Sequence, residues 1–80
     1  MGKVEAVADV IHKVILVDGE QYSIRLEPDL ESGGYCVFSE TPPRCASQGD
    51  TVEEALEMIA DAISLLRESC RENGWPLDPE

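Results

Sequence analysis

Five carboxylates, Glu27, Asp29, Asp50, Glu53 and Asp61, are the side chains of this sequence best suited by type to bond-breaking chemistry. That chemistry would be metal-assisted hydrolysis, which needs several carboxylates converging on a divalent ion. Their sequence context offers plainer roles, because most fall at capping or solvent-facing positions. His12 is the one histidine, and no cysteine or serine motif accompanies it, so packing at a surface or sheet edge is expected. Cys36, Cys45 and Cys70 are odd in number and form no CxxC pair. Free, mostly buried thiols in a reducing compartment are expected, not a disulfide framework or a zinc site. Only Arg44, next to Cys45, hints at a thiolate, and a packed small residue is the default there. These residues predict no catalytic site, metal or cofactor; the chain reads as a binder and not as an enzyme.

The elements that would position such residues must fit into 80 residues, room for one compact domain over 1–80. A domain of this size buries only about 60–65% of its unfolded surface, so a partner or a second copy is a natural source of added stability. A hydrophobic content of 42% argues against disorder, and with four aromatics the core must be built mainly from Val, Ile, Leu and Ala. Seventeen acids against six bases give a formal charge of −11. That balance disfavours nucleic acid and anionic membrane, both of which call for a basic face. It favours a basic partner reached by salt-sensitive encounter, or serves only solubility. No signal-peptide pattern and no membrane-length apolar run is present, so the expected compartment is the cytosol.

The clearest element is a helix from about Val52 to Glu72. Thr51 caps it, with Glu54 reaching back from three positions later. Val52, Ala55, Leu56, Ile59, Ile63, Leu66 and Cys70 recur at three-four spacing as one buried stripe, widened by Met58, Ala62 and Leu65. Acids crowd the N-terminal half, Arg67 and Arg71 sit near the end, and Asn73-Gly74 stops the helix. Trp75 follows where it can fold back on Cys70, and Pro76 and Pro79 block a restart. Ahead of the helix, Tyr22, Ile24 and Leu26 alternate with polar residues as a half-buried strand, and residues 35–38 form the next. The Pro28–Gly34 link has turn chemistry and makes this pair antiparallel. Residues 45–48 form a short extended piece. Residues 4–17 fit either a helix face or a strand; 12–17 reads better as a strand entering an Asp18-Gly19 hairpin.

The ordered set Tyr22, Glu27, Asp29, Gly34, Tyr35, Val37, Pro43, Cys45, Gly49, Asp50, Thr51, Glu53, Glu54 and Ala55 resembles the HicB family of bacterial and archaeal antitoxins. The ending Gly74-Trp75-Pro76-Leu77-Asp78-Pro79 is also similar to that family's, so the resemblance covers about 22–79. Arg44 stands where the family usually has Gly, the Ser39–Pro42 step differs, and residues 1–17 form an N-terminal extension. The resemblance implies an α+β fold: three or four antiparallel strands, then one main helix packed against the sheet and an extended C-terminal tail, a truncated ribonuclease-H-like unit. It implies an antitoxin that binds and silences a small basic mRNA-cleaving toxin of the HicA type. Many relatives carry a following DNA-binding domain; with the sequence ending at Glu80, none is expected here and direct nucleic-acid binding is not anticipated.

Within this frame Glu53, Glu54, Glu57 and Asp61 are the candidate toxin-facing patch, against the simpler reading of a solvated helix face. Met58 and Leu65 are candidate contacts in a homodimer or higher homo-oligomer, which exposed strand edges in a small sheet also suggest. The alternative function is an orphan homo-oligomeric interaction domain without a toxin.

Overall fold

A computed structural model describes residues 10–76. Strands β1 (Ile11–Val17), β2 (Glu20–Pro28), β3 (Tyr35–Ser39) and β4 (Ala46–Gly49) precede one helix, α1 (Val52–Asn73). All strand pairs are antiparallel, in the order β1-β2-β3-β4, a meander of nearest neighbours. The expected α+β fold is thus present, with four strands. The strand reading of 12–17 is correct and extends to Ile11, while the question over residues 4–9 lies outside the described residues. The tail beyond Pro76 lies outside them too.

Local chemistry explains each joint. Asp18 and Gly19 have φ of 53° and 83°, two positive values in succession as a two-residue type I′ hairpin demands. The longer β2–β3 turn is organised by Asp29, whose Oδ1 accepts the amides of Glu31 (3.1 Å) and Ser32 (3.2 Å). The turn closes with the Gly34 carbonyl accepting the Asp29 amide at 2.9 Å. At the helix start Thr51 Oγ1 accepts the Glu54 amide at 3.0 Å, as the cap predicts. The Glu54 carboxylate, however, reaches past Thr51 to accept the Asp50 amide at 2.7 Å. β4 has already ended at Gly49, so the Asp50 amide lies beyond the strand and this carboxylate supplies its acceptor. At the far end Gly74 is left-handed (φ 70°), and the Trp75 amide donates to the Cys70 carbonyl at 2.9 Å, a Schellman closure. The backbone therefore folds back as expected, but the Trp75 ring stays 60% exposed.

One face of the sheet forms the core. The register aligns Ile15 with Tyr22, Leu26 with Val37, and Pro28 with Tyr35, all on the side that α1 covers. Val17, Tyr22, Ile24, Leu26 and Val37 meet Ala55, Ile59 and Ile63 of the helix. Ser39 is the buried polar residue among them, and its hydroxyl donates to the Thr41 carbonyl at 2.7 Å. The helical stripe predicted from spacing is buried only to Ile63. Leu66 is 38% exposed and Cys70 half-buried. Beyond Ile63 the helix is held instead by Arg67, whose Nη1 donates to the Tyr22 hydroxyl at 2.6 Å. Arg67 also forms ion pairs with Asp18 (3.8 Å) and Glu20 (3.6 Å) across the β1–β2 turn.

Candidate protein-binding site

The N-terminal half of α1 presents two adjoining rows to solvent. Glu53, Glu57 and Asp61 follow one another at four-residue spacing, so they stack along one line of the helix. Glu54, Met58 and Leu65 form the neighbouring line, and all six are exposed. This face lies opposite Ala55, Ile59 and Ile63, which anchor the helix to the sheet. The first helical turn favours carboxylates through the helix dipole, so the acids of that turn also stabilise the element that displays them. Among the described residues Glu53, Glu57 and Asp61 form no ion pair. Glu54 differs, since one of its oxygens is committed to the Asp50 amide.

The acidic rows continue into a groove of about 340 Å³ lined by Asp29, Tyr35, Gly49, Asp50, Glu54 and Met58. Two glycines make this junction possible. A Cβ on Gly49 would meet the backbone N and Cα of Ala55, so β4 can abut the helix start only without a side chain. Gly34 (φ 76°) approaches the Gly49 carbonyl as closely, where a Cβ would stand 2.6 Å away. The backbone of the β2–β3 turn, the end of β4 and the first turn of α1 thus close on one another and bring Asp29, Asp50 and Glu54 into a common rim. Sequence reasoning named Asp29 and Asp50 as possible metal ligands and as positions of the HicB-like motif, not as parts of one rim. Their place beside the helix patch depends on two turns meeting in space, and the paired glycines were the signal.

The other sequence candidates disperse. No group of three His, Cys, Asp or Glu side chains able to hold a metal ion occurs among the described residues. His12 is exposed on β1, at the sheet edge. The three cysteines are free but half-buried, not mostly buried: Cys36 lies on the sheet face opposite α1, Cys45 packs at the border of the core, and Cys70 sits near the end of α1. Burial pushes the Cys45 thiol up, which keeps it protonated and a poor nucleophile. The hydrogen bond to Tyr22, and then the nearby Glu20 and Asp18, raise Arg67 against the opposing cost of desolvation, so it is a fixed cation. On the sheet face opposite α1, Arg25 lies 4.5 Å above the Phe38 ring centre and pairs with Glu27 (2.9 Å) and Glu40 (3.0 Å). No helix of the described residues is long and apolar enough to cross a membrane.

Comparison with known proteins gives this acidic α+β unit a family. Over 59 residues the chain is 42% identical to UPF0150 protein ssr1765 of Synechocystis sp., covering 74% of this chain and 73% of that protein. The chain belongs to the UPF0150 family of HicB-like proteins. It is also 46% identical over 48 residues to Antitoxin HicB 1 of Photorhabdus laumondii, which covers 60% of this chain. That match spans 30% of the length of the antitoxin. No protein-family model and no solved structure matches the chain. An antitoxin relative accords with a role in a toxin–antitoxin system, and the family resemblance read from the sequence is correct.

Proposed function

We propose that this chain is an antitoxin-type binding protein that neutralises a small basic, mRNA-cleaving toxin of the HicA type by direct contact. The observation that carries the reading is the 46% identity to Antitoxin HicB 1. The binding surface is the acidic face of α1, Glu53, Glu54, Glu57 and Asp61, flanked by Met58 and the Asp29–Asp50 rim. An RNA-cutting toxin needs a positive face for its substrate, and acids without internal counter-ions offer that face a competing partner. The chain itself performs no chemistry in this account, acts in the cytoplasm, and binds its toxin rather than nucleic acid.

The test is capture of partners by the tagged chain from its own cells at low salt, followed by assay of the captured protein. Support requires a small basic protein in near-equal amount, released at high salt, that cleaves mRNA when freed and stops when the chain is added back. Replacing Glu57 and Asp61 together by lysine should abolish that protection while leaving the fold intact, since both side chains are solvent-facing. Recovery of the chain alone would favour the second reading, an orphan homo-oligomeric domain, for which exposed Met58 and Leu65 provide a helix-borne contact.

A further inference from the structure

Besides the stripe that meets the sheet, α1 carries a second regular series. Glu54, Met58, Asp61, Leu65 and Glu68 follow one another at spacings of four, three, four and three, the repeat of a helix that packs along another helix. All five are exposed, Met58 by 45% and Leu65 by 65%, and they stand apart from Ala55, Ile59 and Ile63, which hold α1 to the sheet. The seam alternates in character, with Met58 and Leu65 apolar and Glu54, Asp61 and Glu68 acidic. Asp61 and Glu68 form no ion pair among the described residues. At its N-terminal end the seam opens on the groove, which Glu54 and Met58 both line. The seven residues from Met58 to Leu65 advance the helix by about 10.5 Å. A second helix matches that interval with its own residues seven apart, whereas residues on one face of a strand recur at about 6.7 or 13 Å.

We infer that this seam docks a basic amphipathic helix of the partner protein, which sets apolar side chains on Met58 and Leu65 and lysine or arginine against Asp61 and Glu68. This rests on the reading that α1 receives a basic partner, and adds which part of that partner makes the contact. Charge selects the occupant. A second copy laid on the seam in parallel would bring acid against acid, and in the antiparallel sense acid against Met58 or Leu65. Two chains of net charge −11 also repel each other as they approach. A helix with cations beside its apolar stripe meets neither obstacle. The two kinds of seam residue then do different work. The carboxylates speed the encounter and make it salt-sensitive. Met58, unbranched and polarizable, moulds to the apolar side chains opposite it and with Leu65 slows release.

The test uses two fluorescent helical peptides of equal charge and of about five helical turns. One repeats leucine and lysine at three-four spacing, and the other has alanine in place of leucine. Fluorescence anisotropy with the purified full chain should show the leucine peptide binding about tenfold or more tighter than the alanine peptide. Met58→Ser with Leu65→Ser should bring the leucine peptide down to the level of the alanine peptide and leave the latter unchanged. Asp61→Asn with Glu68→Gln should weaken both peptides and flatten their salt dependence. Far-UV circular dichroism checks that the variants fold. Equal binding of the two peptides, or leucine-peptide binding indifferent to the Met58 and Leu65 changes, would overturn the inference. So would a chain that sediments as a dimer only while Met58 and Leu65 are intact, which would make a second copy the occupant. The toxin reading fails separately: peptide binding as expected, with no basic mRNA-cleaving protein recovered from cells, removes the toxin and keeps the seam. Recovery of such a protein, bound equally well by the Met58→Ser, Leu65→Ser chain, removes the seam and keeps the toxin.

Discussion

Replacing Tyr22 by phenylalanine removes one oxygen from the structure and nothing else. That oxygen accepts the hydrogen bond from Arg67 Nη1 at 2.6 Å, linking residues 45 positions apart. The Tyr22 ring is 1% exposed and the Arg67 side chain 16%, so neither is held in bulk water. A hydrogen bond with one charged partner is worth about 1.5–3 kcal/mol. The lower end applies, because Arg67 keeps two more distant acids, Asp18 at 3.8 Å and Glu20 at 3.6 Å. A loss of about 1.5 kcal/mol is expected, and it is large against a total stability of about 4–12 kcal/mol for a chain of this length. It should lower the melting temperature by about 6–12 °C. The assay is urea and thermal unfolding followed by far-UV circular dichroism for Tyr22→Phe, Arg67→Met and the double variant. If the clamp fastens the second half of α1 to the hairpin, the two single losses overlap, and the double variant is less destabilised than their sum by about 1 kcal/mol. Strict additivity, or a Tyr22→Phe variant within about 0.3 kcal/mol of the parent, would refute this, and the docking of α1 beyond Ile63 would have to be assigned to partly exposed Leu66 and Cys70 instead.

Three further outcomes follow from the same geometry. Gly49→Ala places a methyl against the Ala55 backbone and should cost about 1–3 kcal/mol or more in urea unfolding; an unchanged midpoint would mean β4 does not abut the helix start. Thr51→Ala should cost about 1 kcal/mol by loss of the cap, and Glu54→Ala should cost measurably as well because the Asp50 amide loses its acceptor; equal stability in both would remove the double cap. Cys45, its thiol pushed up by burial, should alkylate more slowly in the native state than in urea at about pH 8.5, and its contribution to stability should fall as pH climbs above the ordinary thiol range. A native rate equal to the unfolded one, followed by mass spectrometry, would contradict that burial.

The sequence by itself determined what is carried within a few residues. Alternation at Tyr22, Ile24 and Leu26 is a property of two-residue spacing, and their buried side in the sheet follows from it. Asp18-Gly19 fixes a hairpin because only such residues take two positive φ values in succession, and Thr51 marks the helix start because its hydroxyl meets an amide three residues away. The acidic face of α1 was legible for the same reason, since four-residue spacing is helical geometry. The ordered motif from Tyr22 to Pro79 made the family legible as well.

What only the tertiary structure decided lies between distant segments. Helical spacing continues the apolar stripe through Leu66 and Cys70, but burial also needs something to pack against, and the core contributed by α1 ends at Ile63. Arg67 reads in sequence as a cation near a helix C-terminus; its main partners are Tyr22 and the hairpin acids, which the crossing of helix and sheet delivers. Asp29 and Asp50 reach one rim because Gly34 and Gly49 let two turns close on each other, and Val14 and Leu16 are left bare because the chain has a single helix to cover two faces among its described residues. Periodicity states which side of an element is apolar, but the register and the crossing of elements set which of those sides find a partner within the chain and which are left for another molecule.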